Sequence, residues 1–274
     1  MTYTLSQITR DSSIMLVGCG GTGAFLAEGL CRLIQGTHFR LELVDHDRVE
    51  ERNLIRQNFF KSDLGRFKAE VLAQRLSAQY NMQIDYCASP IQFLDYNFRG
   101  QLTISCVDNA EARERLQYAG RYQMGGLFGL CKFNGWWIDA GNSENSGQVL
   151  IGNALLKELK QAFTPENGVC RRLPIPTVQQ PALLAPAPKK PRRNCAQAVA
   201  ADEQSPVINR MMADLVLTFV QKLLTGKLTW MAAYVDLEAG TMSAVDATPE
   251  AVSRITGHTV RQLEYHPRKE RVRV

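Results

Sequence analysis

The sequence lacks the features expected of a secreted, membrane-spanning or zinc-binding protein. Its 274 residues contain no apolar run near the roughly 18 uninterrupted residues that a bilayer span requires. The first eleven residues also lack the basic-then-apolar order of a signal peptide, so we expect a cytoplasmic protein. The seven cysteines include no C-x-x-C pair, which predicts reduced thiols and no structural zinc.

The chain also has little excess charge outside two short segments. The formal net charge is +5, and eight of the positive charges lie at 189–193 and 268–273. Without these two runs the chain would be net negative. Such runs are more often solvated loops and tails than recognition surfaces, so the charge does not indicate a nucleic-acid partner. The content of apolar residues, 45%, is typical of a globular protein and excludes disorder for most of the chain.

Apolar runs of strand length alternate with segments of helical periodicity in the first half of the chain. Alternation of this kind predicts an α/β fold, a Rossmann-like and mostly parallel sheet with helices on both faces. The predicted strands are 14–18, 41–44, 83–87, 102–107 and 136–139, and the predicted helices are 22–34, 66–80 and 110–122.

The second half of the chain has a different pattern. A strand is predicted at 148–151, and a hairpin at 230–237 and 241–245. Between them, a helix that starts at Ser205-Pro206 carries a wide apolar stripe, which indicates either core packing or a dimer contact; we favour the core. Six of the 11 prolines lie between Pro174 and Pro191, a composition that favours extended backbone.

These patterns predict a single domain, 1–274, with two functional halves. The nucleotide-binding half is 12–142, and the partner-binding half is 143–257. The second half would include a proline-rich mobile loop at 165–194. A loose basic tail would occupy 258–274.

A glycine-rich motif lies between the first predicted strand and the first predicted helix. Gly18, Gly20 and Gly23 satisfy G-x-G-x-x-G, with Gly21 between them, and Asp45 ends the next strand. Glycines let the backbone approach phosphates, the helix N-terminus attracts anions, and the carboxylate can bind ribose hydroxyls. This pattern predicts a nucleotide site, and by itself it fits NAD, FAD or ATP.

A polar segment directly after Asp45 narrows the choice of nucleotide. If residues 51–57 form a helical turn, Asn53, Arg56 and Gln57 share one face. Lys68, which opens the next helix, adds a second cation. A hydride-transfer enzyme has no use for such a group, whereas a site that cleaves ATP must neutralise charge developing on the phosphates.

Asp108 and Asn109 follow the strand predicted at 102–107. They are therefore expected at the carboxyl edge of the sheet, where open α/β sheets bind their ligands. Oxygen ligands of this kind are those that Mg²⁺ prefers.

Together these residues closely resemble the family of ThiF, MoeB and the ubiquitin-activating enzymes. The matching motifs are G-x-G-G-x-G at 18–23, D-x-D-x-V at 45–49, N-x-x-R-Q at 53–57, Lys68, and D-N-x-x-x-R at 108–113. The resemblance implies ATP-dependent adenylation of the C-terminal glycine of a ubiquitin-like or sulfur-carrier-like protein. It also implies a homodimer and a conjugating-enzyme-like protein as a further partner.

The resemblance assigns a role to each matching residue. Asp45, with Asp47 beside it, would bind the ribose end of ATP, and Asp108, next to Asn109, would hold Mg²⁺. Arg113 would only brace the site. The residues expected to bind the phosphates are Asn53, Arg56, Gln57 and Lys68.

Many members of the family then transfer the acyl group to a cysteine that follows a crossing loop. Cys195 occupies the corresponding place here and is the candidate acceptor. Cys170 is an alternative, because Arg171 and Arg172 beside it would lower the pKa of its thiol.

The chain departs from the family pattern in lacking the two zinc-binding C-x-x-C pairs. Its N-terminal segment offers only Arg10 in place of an arginine motif that acts across the dimer in many relatives. Residues 139–142 and 147–149 resemble the ThiF-related protein of the PRTRC cassette, which implies a bacterial setting. Two other functions stay open: a nucleotide-binding interaction platform without turnover, and, resting on the glycine motif alone, an NAD or FAD oxidoreductase.

Overall fold

In the computed structural model of the protein, residues 2–8, 12–90, 100–119, 135–185 and 206–266 are described. The strands are β1 (Thr4–Leu5), β2 (Ser13–Val17), β3 (Arg40–Val44), β4 (Ile84–Cys87), β5 (Gly100–Ser105), β6 (Trp136–Asn142), β7 (Ser146–Gly152), β8 (Phe163–Thr164), β9 (Val169–Cys170), β10 (Trp230–Asp236) and β11 (Thr241–Asp246). The helices are α1 (Gly21–Ile34), α2 (Lys68–Tyr80), α3 (Ala110–Ala119), α4 (Pro176–Gln179), α5 (Pro206–Leu224), α6 (Pro249–Thr256) and α7 (Val260–Leu263). Short 3₁₀ turns lie at Glu51–Asn53, Lys61–Asp63, Leu156–Glu158 and Pro181–Leu184.

Eight strands form one mixed sheet in the order β11-β10-β7-β6-β5-β2-β3-β4. The pairs from β6 to β4 are parallel, with Ile14 of β2 opposite Leu41 on one side and Leu102 on the other. The pairs from β6 to β11 are antiparallel. The predicted α/β class with a mostly parallel sheet is therefore confirmed, and the antiparallel strands extend it at one side.

Helices cover both faces of this sheet. The larger core packs α1, α2 and α5 against one face, and a smaller cluster joins Trp137 of the sheet to Leu116 of α3 and to Ile175. The apolar stripe of α5 lies in the larger core, as its sequence predicts, since Phe219 and Val220 are completely buried. None of the helices in the described part of the chain is both long and apolar enough to cross a membrane.

Two segments are more ordered than their composition suggests. Residues 165–185 of the expected mobile loop contain β9, α4 and a 3₁₀ turn, and they bury Cys170, Leu173 and Ile175. Apolar side chains in and directly before the proline-rich stretch supply this burial. The start of the expected loose tail forms α7, which buries Leu263 completely. The rest of the loop, 186–194, and of the tail, 267–274, lies outside the described residues, as does the predicted end of α3 at 120–122.

The turn between β2 and α1 brings three backbone segments unusually close together. Gly18 has a φ of +90°, and a Cβ there would lie 2.7 Å from the carbonyl oxygen of Cys106. A Cβ at Gly23 would overlap the carbonyl oxygen of Gly18. At Gly20, by contrast, the nearest atom would be 3.8 Å away. Side chains are therefore excluded at Gly18 and Gly23 by the fold itself.

We expect the substitution Gly23→Ala to lower the free energy of unfolding by about 1–3 kcal/mol or more, because the added methyl group forces the turn apart. Gly20→Ala is the matched control and should stay within about 1 kcal/mol of the wild type. Urea unfolding followed by circular dichroism measures both. Equal stability of the two variants would contradict the packing described for the turn.

Candidate functional site

A cleft with a volume of about 1280 Å³ opens at the carboxyl ends of β2, β3 and β5. This is the edge at which open α/β sheets bind their ligands. Most of the residues predicted for the site lie on its walls: Gly18, Gly20, Gly21, Asp45, Asp47, Asn53, Arg56, Gln57, Lys68, Asp108 and Asn109. Gly23 does not line the cleft, because it packs inside the turn.

The glycine turn forms the floor of the cleft. Gly20 precedes the first residue of α1, and it leaves open the space that a larger side chain would fill. The first turn of α1 contains no acidic side chain. The unpaired N–H groups at the N-terminus of a 14-residue helix carry partial positive charge, so this floor is suited to an anion such as a phosphate.

Asp45 lies at the end of β3, against the glycine turn. Its Oδ2 accepts a hydrogen bond from the backbone N–H of Cys19 at 2.6 Å, and its Oδ1 accepts from that of Asp47 at 2.8 Å. Burial raises the pKa of Asp45, although Lys68 and the two N–H groups oppose this shift. The carboxylate is thus fixed in orientation and keeps lone pairs on both oxygens for a further donor, such as a ribose hydroxyl.

Lys68, the first residue of α2, forms an ion pair with Asp47. Its Nζ lies 2.9 Å from Oδ2 of Asp47, and its side chain is 8% exposed. Burial favours the neutral form of Asp47, but the hydrogen bond and charge of Lys68 dominate and lower its pKa. The pair therefore holds a charged lysine at the wall of the cleft, where it can meet an incoming anion.

The polar segment after Asp47 adopts the expected helical turn, as a 3₁₀ turn at Glu51–Asn53. The backbone N–H groups of Arg56 and Gln57 both donate to the carbonyl of Asn53, at 3.3 and 2.9 Å. These bonds place the three side chains on the cleft wall together. Oδ1 of Asn53 accepts from the backbone N–H of Glu50 at 2.9 Å, so this amide also stabilises the turn.

Gln57 has unused hydrogen-bonding capacity. Its side chain is 9% exposed, and its Oε1 is buried with no hydrogen-bond partner within the described part of the chain. A buried amide oxygen without a partner costs free energy in the absence of a ligand. Because Gln57 lies beside the glycine turn, this amide is suited to contact a bound nucleotide.

Asp108 and Asn109 lie after β5 at the opposite side of the cleft. Oδ1 of Asn109 accepts from the backbone N–H of Ala112 at 2.8 Å and caps α3, while its Nδ2 donates to Oδ1 of Asp108 at 3.3 Å. The oxygen of Asn109 is therefore already used, whereas the exposed carboxylate of Asp108 faces the cleft and can ligate a cation. A second group of potential ligand atoms, from Asp45, His46 and Asp47, lies within 4.8 Å of one another.

Arg113 forms a buried ion pair beneath Asp108. Its Nε lies 3.1 Å from both carboxylate oxygens of Asp139, and its Nη2 donates to the carbonyl of Val107 at 2.6 Å. Ser105 and Trp137 complete the network, since Ser105 donates to Asp139 and accepts from the indole N–H of Trp137. This arrangement fits a bracing role for Arg113, because it fixes the backbone directly before Asp108.

Several residues that the sequence analysis did not assign to the site also shape it. Thr22, Asn142, Gln148, Tyr234 and Ser243 line the cleft, the last three on the antiparallel strands. Asn209 of α5 lies behind the glycine turn and is completely buried. Asn209 interrupts an apolar stripe between Ile208 and Met212. A polar residue on a helix face expected to be buried was the sequence feature that could have identified it.

Of the two candidate acceptor thiols, only Cys170 lies in the described part of the chain. Cys195 lies outside the described residues, as does Arg10. The prediction for Cys170 is wrong: its side chain is completely buried, and burial raises the pKa of its thiol. Its Sγ donates to the backbone carbonyl of Arg172 at 3.4 Å, and the adjacent arginines do not reverse the effect of burial. Cys170 is a core residue.

Comparison with protein families gives a match over almost the whole chain. The profile of the ThiF family matches residues 4–256. Among curated proteins, the ubiquitin-like modifier-activating enzyme 5 of Bombyx mori is 30% identical over 152 residues, and that of Oryza sativa subsp. japonica is 32% identical over 162 residues. These alignments cover 50% and 52% of this chain. They span 35% of the length of each relative.

Solved structures share the fold at lower sequence identity. The E. coli MccB structure with ATP superposes with a TM-score of 0.55 at 15% identity, covering 86% of this chain and 64% of that one. E. coli MccB with MccA gives a TM-score of 0.57 at 16% identity, covering 88% of this chain and 65% of that one. PaaA gives 0.56 at 17% identity, with coverage of 86% and 64%.

The burial of Cys170 predicts that its thiol resists alkylation in the native protein. In iodoacetamide at pH 8, we expect Cys87, which is partly exposed, to be labelled at least tenfold faster than Cys170, because only an accessible thiolate reacts. Peptide mass spectrometry after timed quenching measures both rates, and labelling in urea shows that each cysteine can react. Fast labelling of native Cys170 would restore it as a candidate nucleophile.

Proposed function

Because this chain belongs to the ThiF family, we propose that it uses ATP to adenylate the C-terminal carboxylate of a ubiquitin-like or sulfur-carrier-like protein. The observation that carries the proposal is the composition of one cleft. The glycine floor, the fixed carboxylate of Asp45, the cations Arg56 and Lys68 and the exposed carboxylate of Asp108 line the same space. Relatives named as ubiquitin-like modifier-activating enzymes, and the MccB structures with ATP and MccA, support the reaction type and the kind of substrate.

The residues of the cleft fall into two groups, one suited to the ribose of ATP and the other to its phosphates. Asp45, fixed at the end of β3, would accept from the ribose hydroxyls. Asn53, Arg56, Gln57 and Lys68, with the N–H groups of the glycine turn, would bind the phosphates. The residues also fit Mg²⁺, because Asp108 presents an exposed carboxylate to the same cleft as Arg56 and Lys68. When bound there, Mg²⁺ would counter the charge of the departing pyrophosphate.

The first reaction would join a carboxylate oxygen of the protein substrate to the α-phosphorus of ATP and release pyrophosphate. The carboxylate of the substrate is the nucleophile, and no side chain of this enzyme acts as one in this step. The chain contributes by positioning the reactants and by neutralising charge that grows on the phosphates, which are the major sources of rate acceleration in phosphoryl and nucleotidyl transfer. Arg56 and Lys68 supply the neutralising charge, and the ion pair with Asp47 keeps Lys68 oriented.

The second reaction would transfer the acyl group to a cysteine, for which we propose Cys195. Its thiolate would attack the carbonyl carbon of the acyl adenylate, form a thioester and displace AMP, and the thiol proton would pass to solvent. The burial of Cys170 removes the alternative acceptor. The product would then be passed to a conjugating-enzyme-like protein, in a PRTRC-type bacterial setting, with the chain acting as a cytoplasmic homodimer.

Two other functions of the same cleft differ in the ligand that it would bind or in the reaction that would follow. A platform without turnover would bind ATP but would not exchange pyrophosphate. An NAD or FAD oxidoreductase would not need Arg56, Lys68 and the unpartnered Gln57 oxygen beside the glycine floor. The cation-rich wall therefore favours a triphosphate.

ATP–pyrophosphate exchange tests the proposal. We expect exchange with MgATP and at least one member of a panel of purified ubiquitin-fold proteins that end in Gly-Gly, and loss of about 100-fold or more in Asp108→Ala. Asp214→Ala, on the exposed side of α5, is the matched control and should exchange like the wild type. ATP binding without exchange across the panel would support the platform, and binding of NADH without ATP would support the oxidoreductase.

Lys68→Ala tests the charge at the cleft wall. Removal of one group that stabilises developing charge costs about 2.7–4 kcal/mol in the transition state, so we expect the exchange rate to fall about 100- to 1000-fold. Lys157→Ala removes an exposed lysine outside the cleft and is the control. An exchange rate in Lys68→Ala within threefold of the wild type would show that this lysine does not act on the phosphates.

A further inference from the structure

Asn209 is a buried polar residue on the core-facing side of α5. Its exposed fraction is 0%, and the residues around it on the same helix face, Ile208, Met212 and Ala213, are apolar and buried. An apolar side chain would satisfy the packing of such a helix face at no cost in hydrogen bonding. The presence of an amide here therefore points to a use for its hydrogen bonds.

Those hydrogen bonds connect Asn209 to three separate elements. Its Oδ1 accepts from Nδ2 of Asn142, at the end of β6, at 3.2 Å and from Oγ1 of Thr22, in the first turn of α1, at 3.5 Å. Its Nδ2 donates to the backbone carbonyl of Arg56 at 3.5 Å. Thr22 also donates to Oδ1 of Asn142 at 3.3 Å, so the three side chains form one network.

All three partners of Asn209 line the cleft, but Asn209 itself does not. The amide lies directly behind the glycine turn: a Cβ on Gly21, the first residue of α1, would overlap the side chain of Asn209. It thus fixes the distance between the N-terminus of α1 and the backbone that carries Arg56. These are the two elements that would meet the phosphates.

We propose that Asn209 is a positioning residue for the phosphate end of the nucleotide site. This inference rests on the function proposed above and adds a residue that acts through Arg56 and through the N-terminus of α1, without touching the nucleotide. Asp45, at the ribose end, is not among the partners of Asn209. Loss of the amide should therefore weaken the binding of phosphates and leave the binding of the nucleoside unchanged.

The test compares ATP with adenosine. We expect Asn209→Ala to raise the dissociation constant for MgATP about tenfold or more, by calorimetry, and to change that for adenosine, by equilibrium dialysis, less than twofold. Val216→Ala, at a buried apolar residue two turns further along the same helix, is the matched control for loss of packing, and its affinities should equal those of the wild type. If Asn209→Ala does not fold, Asn209→Ser is measured in the same way with the same expectation.

A double variant tests the contact with the glycine turn. Gly21→Ala alone should lower the melting temperature, because its methyl group overlaps the amide, and adding Asn209→Ala should recover much of that loss. A double variant no more stable than Gly21→Ala would overturn the placement of Asn209. Wild-type affinity for MgATP in a folded Asn209→Ala, or an equal loss for ATP and adenosine, would overturn the positioning role alone. Failure of the wild type to bind MgATP would instead overturn the proposed function.

Discussion

The close approach of backbone segments at the glycine turn is the constraint on which the rest of the cleft depends. Gly18 lies against the carbonyl of Cys106, and Gly23 lies against the carbonyl of Gly18. Only residues without a Cβ allow β2, β5 and α1 to meet at these distances. Because they meet there, the N-terminus of α1 and the end of β5 open onto one space, and the side chains of Asp45 and Asp108 reach it from the ends of β3 and β5, the two strands that flank β2.

Two of the ion pairs around this cleft differ in how far they are exposed to solvent. Lys68 is paired with the half-exposed Asp47 at the cleft wall, so its charge is held in place but stays close to the opening. Arg113 forms an ion pair with the fully buried Asp139 and fixes the backbone before Asp108. A buried pair of this kind contributes little net stability but is costly to break, which suits a role in fixing geometry. The Lys68–Asp47 pair is therefore placed to contact a ligand. The Arg113–Asp139 pair maintains the part of the cleft wall that carries Asp108.

Much of this arrangement could be predicted from the sequence because it depends on local patterns. The strands at 14–18 and 41–44, the helical turn at 51–57 and the helix at 206–224 follow from periodicity and from the residues that end each run. The convergence of Asp45 and Asp108 follows from the rule that parallel strands end at one edge of a sheet.

The parts that could not be predicted depend on long-range packing. The two arginines beside Cys170 suggested a reactive thiol, but β9 packs into the core, and no local pattern reports that burial. The ordering of 165–185 and of α7 likewise depends on apolar side chains that find partners far away in the chain. Asn209 was visible as a polar residue in an apolar stripe, but its partners, at 22, 56 and 142, are set only by the fold.

The central claim is that cationic groups and the glycine floor receive a triphosphate. The most direct measurement is a crystal structure of the protein grown with a non-hydrolysable ATP analogue and Mg²⁺. The account predicts phosphates against Gly20 and within hydrogen-bond distance of Arg56 and Lys68, with the ribose beside Asp45. An analogue bound elsewhere, or bound in this cleft with its phosphates away from both cations, would contradict it.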